Sequence, residues 1–504
     1  MEASISNRSA LEHWLRVDPA GELGDEARAI WVHAEVFQDA PSSEGVSVEL
    51  LGLFCDRVLD VDGRLRGALL EARLPLPEDL RSWLGMVVDS AVRLAQVSQR
   101  LARKGQLAEC RLADNASGRA LPRALGMSMA QVAGVLSAMG GLSPPFNFWA
   151  TAHALARGPG PVSDAADAED LERPADTAYK SLLALAVVQP EGLSPREIQW
   201  LVEFLDRHAS ELCLAPLHDE PGEGFWIDGA QDVPPVAITR RPPPVVDGVW
   251  KMDARPLAAR AAEGLARLQE IPEEEVTDVF DAVTALTVGA ALPEGLTVGD
   301  AMAVLDRVAR YWSAAPLRER PRRWQQQPVT VCFGLSAIWE CLRGGLGASD
   351  AQMEEWVVVN ESIGGYAILG QQKEPSCLAA GMVVAVRLTE AVGWTVCIVR
   401  WIRAEDPARI ELGLQVVADG ATPVRLGFRG GETREMLPGL MLSPRVGMRG
   451  LSGMLVPAGT SVGRRFVFVR DGSPLYVGQG LLVSVEIRTA NSELFQFELD
   501  PIPE

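Results

Sequence analysis

Two short stretches hold the residue types that could do chemistry in this chain. The first is Arg318-Glu-Arg320-Pro-Arg322-Arg323, four arginines in six residues. The second is Asn360-Glu-Ser362-Ile-Gly364-Gly365, a polar turn between two apolar runs. Guanidinium groups present several donors in a planar fork that suits phosphate oxygens and guanine edges. A turn ending in Gly-Gly lets backbone come close to a ligand, because glycine has no Cβ and tolerates positive φ. Taken alone, the first stretch reads as a solvated linker and the second as a plain hairpin. Found together, in this order and flanking strands, they favour a ligand site.

Other chemistry finds less support. The histidines are His13, His33, His153, His208 and His218, and no two stand at metal-ligand spacing on a helix, so each reads as surface or satisfied core. There is no His-Glu-x-x-His and no phosphate loop ending in Lys-Ser/Thr. Gly459-Thr-Ser461-Val-Gly463 has the letters of a nucleophile elbow, but that elbow needs a following helix and a later histidine. Here a β run follows and the last histidine is His218, so it reads as a turn. Cys332 and Cys341 lie near the arginine segment without a partnered base, which argues against a nucleophile. Acidic pairs such as those of Glu273-Glu-Glu275 are expected as solvated faces or helix starts. No catalytic residue, metal site or cofactor is expected, and the chain is not read as an enzyme.

The arginine cluster stands out against the whole. The chain has 504 residues and a formal net charge of −20, with a pI near 4.9. That argues against general nucleic-acid binding, which needs a broad basic surface. It leaves room for a small anion held locally. Hydrophobic residues make up 47% and charged residues 23%, so large buried cores can form. No apolar run approaches the roughly 18 residues of a membrane span. The opening residues lack the basic start and apolar core of a signal peptide. The seven cysteines, none in a Cys-x-x-Cys pair, suggest neither a disulfide framework nor a zinc site. A cytoplasmic protein with reduced cysteines is the expectation.

The elements that must position the two stretches follow from periodicity. Residues 1–212 read as a helical region. Leu84, Val87, Val88, Ala91, Leu94 and Val97 fall on one face of a helix over Leu80–Arg103. Ser194-Pro195-Arg-Glu197 is a capping box opening another helix. Gly158–Asp176 reads as a surface loop, and the aromatics of Pro144–Trp149 as packed on a neighbouring helix. Residues 213–317 read as a second helical region with a short β excursion, Phe225–Gly229 and Val236–Thr239, and a stiff connector, Pro242–Pro244. Its helices are expected at Arg255–Leu268, Glu274–Val288 and Val298–Trp312, with Ser313–Leu317 as the joint to the arginines. After Pro328 the period becomes alternating, with Val329, Val331, Phe333 and Leu335 on one face. Strands at Glu355–Val359, Tyr366–Leu369, Gly381–Leu388, Trp394–Ile402 and Arg409–Val417 then suggest a small antiparallel barrel over 318–428, with Gly344–Met353 inserted. Residues 429–504 read as a further small β module, either a second barrel or an extension of the first. The fold class is α+β and multidomain, all-α at its N-terminal side and antiparallel β at its C-terminal side.

The order of these parts resembles a PilZ domain, the bacterial receptor module for cyclic di-GMP. Its pattern is Arg-x-x-x-Arg before the first strand and Asp/Asn-x-Ser-x-x-Gly at the next turn. Arg318–Arg322 fits the first, with Arg320 and Arg323 as further arginines, and Asn360–Gly365 fits the second completely. The resemblance covers about residues 318–420, a fifth of the chain, and departs from the pattern in a longer spacing between the motifs. It implies a six-stranded barrel whose ligand is cyclic di-GMP. It also implies contacts from Arg318, Arg320, Arg322, Arg323, Asn360, Ser362, Gly364 and Gly365. Arginines would meet phosphates and guanine, Asn360 a guanine edge, and Ser362 a phosphate or the turn itself. A protein partner is expected at the helical region. The alternative is a barrel that has lost the nucleotide and serves as an interaction scaffold.

Overall fold

The computed structural model describes residues 11–17, 21–39, 48–109, 117–156, 166–217, 222–246, 248–269, 298–314, 322–344, 353–370, 378–389, 393–406, 409–428, 436–443, 452–461, 463–471, 475–489 and 491–500. The N-terminal side is helical: α1 (Leu23–Asp39), α2 (Val48–Glu71), α3 (Glu78–Glu109), α4 (Ser117–Met139), α5 (Phe148–Ala156), α6 (Ala166–Val187) and α7 (Pro195–His208). The stripe expected on α3 is buried throughout, with Leu84, Val87, Ala91 and Leu94 fully inaccessible. The capping box at α7 forms as the sequence reads. Ser194 Oγ accepts from the Glu197 amide, and Glu197 accepts in return from the Ser194 amide at 2.6 Å. Glu197 is buried there, and burial raises its carboxyl above the usual range.

Three expectations change in this region. The segment read as a loop, Gly158–Asp176, is helical from Ala166 onward, as part of α6. The part of its acidic run from Ala166 onward falls at the start of that helix. Of the Pro144–Trp149 aromatics, Phe148 and Trp149 pack inward but Phe146 is 84% exposed. The β excursion is larger than a hairpin. Strands β1 (Cys213–Pro216), β2 (Phe225–Asp228), β3 (Val236–Ala237) and β4 (Val249–Asp253) form one sheet in the order β1-β4-β2-β3.

Two more helices, α8 (Arg255–Gln269) and α9 (Val298–Ser313), complete the helical region. The helix expected at Glu274–Val288 lies outside the described residues. The α9 stripe Val304, Leu305, Val308 and Trp312 is buried in the same core as α2 to α7. Trp312 stacks on Phe204 and donates its indole N–H to the Ala184 carbonyl at 3.0 Å. The stretches expected as two helical regions therefore share one core. Among the described residues no helix is long and apolar enough to cross a membrane.

Two closed barrels follow. The first comprises β5 (Arg323–Phe333), β6 (Met353–Ser362), β7 (Gly365–Gly370), β8 (Val383–Leu388), β9 (Thr395–Asp406) and β10 (Arg409–Ala418), in the order β10-β7-β6-β5-β8-β9. The second comprises β11 (Ala421–Phe428), β12 (Leu437–Leu442), β13 (Ser452–Pro457), β14 (Arg465–Arg470), β15 (Tyr476–Arg488) and β16 (Ser492–Leu499), in the order β11-β12-β13-β16-β15-β14. Counted from its own first strand, each barrel pairs strand one with two and four, two with three, three with six, six with five, and five with four. The connectivity is the same in both. The boundary expected at 428 moves back, since β11 pairs only with β12 and β14.

A helix missed in the sequence, α10 (Leu335–Arg343), connects β5 to the chain before β6. Leu335, Ile338, Trp339 and Leu342 repeat at three- and four-residue spacing, so the alternation seen over β5 stops at Phe333. Ile338 and Trp339 sink between the barrels, beside Val383 and Ala385 of β8 and Leu440 and Leu455 of the second barrel. The Trp339 indole donates to the Val424 carbonyl at 2.7 Å. This explains why β8 reads as a continuous apolar run. Val384 and Val386 fill the first barrel while Val383 and Ala385 fill the seam between barrels.

The helical region docks on the first barrel through backbone. The Leu378 amide donates to the Leu74 carbonyl at 3.1 Å and the Ala404 amide to the Gly141 carbonyl at 3.2 Å. Gly192 approaches so closely that a Cβ there would stand 2.4 Å from the Arg400 carbonyl oxygen.

Candidate functional site

The two sequence motifs meet at one end of the first barrel. Strand β5 begins at Arg323, which stands opposite Glu361 on β6, and Trp324 stands opposite Asn360. Thirty-odd residues separate the motifs in sequence, yet the ladder makes them neighbours. The register then slips between Trp324 and Gln327, leaving an extra residue on β5, and β6 slips again against β7 between Val358 and Asn360. Such bulges bend a strand and re-aim side chains. Arg322, Arg323 and Trp324 are all exposed there. Arg318 and Arg320 lie outside the described residues.

The turn itself is tight. Ser362 pairs with Gly365 across Ile363-Gly364, and the Ser362 hydroxyl donates to the Gly365 carbonyl at 3.4 Å. The Gly364 carbonyl accepts from the Val416 amide of β10 at 3.0 Å. Gly365 has a steric reason to be glycine, because a Cβ there would fall 2.0 Å from the Leu414 carbonyl oxygen. Ile363 stands 63% exposed at the tip and Gly364 is open. Asn360 is 5% exposed and continues the inward register of Trp356 and Val358, at the stem of the turn rather than its surface. Glu361 accepts a hydrogen bond from the Gln325 side-chain amide, which ties β5 to the turn.

The structure thus brings Arg322, Arg323, Ser362, Gly364 and Gly365 to one rim, with Asn360 beneath them. It adds Trp324, 81% exposed in the middle of that rim, which motif reading passed over. An aromatic directly after an arginine cluster was the available signal, since base stacking and cation–π contacts use that pair. The arrangement offers donors, a hydroxyl and an aromatic face. It suits binding of a planar anion. Nearby, burial pushes the Cys332 thiol up to about 12, with Cys341 adding to the effect, so it is a poor thiolate. Ser461 is held by Glu493 through both its amide and its hydroxyl. Among the described residues no group of three His, Cys, Asp or Glu is placed to hold a metal.

Comparisons with known proteins agree with this layout. A family model described as the N-terminal domain of the cyclic-di-GMP receptor FimW matches residues 9–219. A second, described as the middle PilZ domain of FimW, matches residues 347–423. The second match spans β6 to β10 and the turn, and begins after β5 and the arginines. A curated relative, the cyclic-di-GMP receptor FimW of Pseudomonas aeruginosa, is 32% identical over 69 residues, 14% of this chain and 11% of the relative. The chain thus spans about a tenth of the length of the curated relative it matches. No solved structure matches. The two models, matched in chain order, cover more than half of the sequence, and the chain belongs to the PilZ-domain proteins, with a helical region and a middle barrel similar to those of FimW.

Proposed function

We propose that the chain is a cytoplasmic receptor for cyclic di-GMP. It would hold the dinucleotide between the arginine segment and the Asn360–Gly365 turn, and relay binding to the helical region. The observation that supports this is the pairing of Arg323 with Glu361, which brings Arg322 and Arg323 near the turn despite the long sequence between them. The similarity to FimW over both regions supports it. Arg322 and Arg323 would take phosphate oxygens or a guanine edge, Ser362 a phosphate, and Trp324 the face of a base. Arg318 and Arg320 belong to the same proposed set. The reaction class is binding, not catalysis.

Relay would use the short link from α9. That helix is packed in the helical core, and the arginine segment follows it at once. Engagement of the segment by a ligand would shift how the helices sit on the barrel, and so alter a partner surface. The scaffold alternative rested on the long spacing between motifs. The helix α10 and the residues after it account for that length without disturbing the ladder.

Isothermal titration of the full chain with cyclic di-GMP, with GTP as control, tests the reading. Selective, saturable binding is expected. Absence of binding, checked by a second method that does not rely on heat, would overturn it.

A further inference from the structure

Where the helical region and the two barrels meet, they leave a cleft of about 720 Å³. Its walls come from α8, α9, the 192–197 turn, β9, β10 and β15. On its floor stands Arg400. On β9, Val399 pairs with Leu414 and Trp401 with Gly413, so Arg400 is the extra residue of a β-bulge. A bulge takes a side chain out of the ladder and re-aims it. Arg400 keeps solvent access inside the cleft. The cleft walls, then Arg307 and Arg310, hold its guanidinium below the usual arginine range.

Most of the other charges facing this space are engaged. Arg307 donates to the carbonyls of Val188, Gln189 and Gly192 and lies over the Tyr311 ring. Arg310 pairs with Asp306 at 2.7 Å. Arg488 Nε stands 3.8 Å from Glu493 and is itself buried without a hydrogen-bond partner. Glu197 is held in its capping box, and Glu486 accepts from Gln496. Arg400 has no hydrogen bond or ion pair among the described residues. Beside it, the side-chain carbonyl oxygen of Gln415 is buried without a partner. A buried acceptor left unpaired is costly, and an arginine flanked by two others calls for an anion.

Position ties this cleft to the turn. Gln415 on β10 stands opposite Gly365 of β7 on one side and Ile398 of β9 on the other. The turn and the Arg400 strand are thus two strand spacings apart, about 10 Å. We propose that the cleft completes the dinucleotide site, with Arg400 taking a phosphate of the ligand and Gln415 Oε1 accepting from a guanine amino group. This rests on the receptor reading above. A ligand seated so would touch α9, the first barrel and β15 together, and would clamp the three units against one another.

The test is titration of the full chain and its variants with cyclic di-GMP at low and high salt, with thermal unfolding as the control for fold. Arg400→Ala should raise Kd tenfold or more, which is about 1.4 kcal/mol per tenfold. It should also flatten the salt dependence of affinity, because one charge contact is gone. Arg400→Lys should recover part of the affinity, since the charge stays but the planar fork does not. Should Arg400→Ala fail to fold, Gln415→Glu tests the same cleft, since a carboxylate there should repel the ligand and weaken binding at least severalfold. If the parent chain binds, Ser362→Ala is weakened, and Arg400→Ala or Gln415→Glu binds like the parent with the same salt slope, the cleft proposal is overturned and the receptor reading stands. If the parent chain does not bind cyclic di-GMP, both fall.

Discussion

The two barrels share a connectivity but not a chemistry. Both are closed and antiparallel, with the same pairing from first strand to sixth. The first is filled largely by aliphatic side chains with Trp356 and Cys397 among them, and Phe333 and Tyr366 packed against them. The second is filled largely by aromatics, with Phe466 against Phe495 and Phe497, each 5.3 Å between ring centroids. In the first, strands two and three are joined by Ile363-Gly364 alone, beside two exposed arginines and Trp324. In the second, nine residues separate the corresponding strands, β12 and β13. The fifth strand bulges twice in both, but one of the bulged residues is Arg400 in the first, whereas they are Val483 and Glu486 in the second. Closing a six-stranded barrel needs only alternation and turns. Binding needs particular residues at one rim, so the fold can be present without the site.

That contrast can be broken or sharpened by mutation. The largest expected effect is Phe466→Ala, which empties the second core and should cost about 3–5 kcal/mol of stability. Affinity for cyclic di-GMP should stay within about twofold wherever the chain is still folded, a change of about 0.4 kcal/mol. A large loss of binding in the folded variant would mean that binding depends on the core of the second barrel, beyond any contact at β15. Next come Arg323→Ala and Ser362→Ala. Each removes one contact to a charged group and should weaken binding by about 1.5–3 kcal/mol, with unfolding temperature unchanged. Unaltered affinity in both would remove the rim of the first barrel from the site. Trp324→Ala removes an exposed ring and should cost about 1–3 kcal/mol of binding with little change in stability. Tryptophan fluorescence that ignores saturating ligand would contradict a stacking role. The smallest effect is Ser194→Ala, which loses a helix cap. It should lower stability by about 1 kcal/mol in chemical denaturation and leave binding alone.

Much of this organisation was legible because it is local. The α3 stripe and the α7 capping box were read from spacing alone and formed as read. Five of the six strands of the first barrel fell where the short runs between turns placed them, within a few residues. The errors have physical causes. Residues 335–343 carry an apolar pattern short enough to pass for the tail of β5, and a helical spacing decides it only when Ile338 and Trp339 have a seam to enter. The acidic run before Asp176 looked like a solvated loop, although carboxylates at a helix start are favourable. Strands β1 and β4 are short and carry little alternation, so only their pairing reveals them.

The candidate site divides the same way. The arginines, the serine and the two glycines were visible as letters in a pattern. That Gly365 must be glycine because of the Leu414 carbonyl was not, since the clash comes from another strand. Nor could the sequence tell that Trp324 stands exposed or that Asn360 is buried, because the face a residue occupies depends on the bulges beside it. By itself the sequence determined the periods, the caps, the turn and the charge knot, all properties of neighbours along the chain. Tertiary structure decided which strands closed on which, brought Arg323 beside Glu361, and turned Arg400 into the cleft. Those depend on ladder register and on packing between units distant in sequence, which local spacing does not encode.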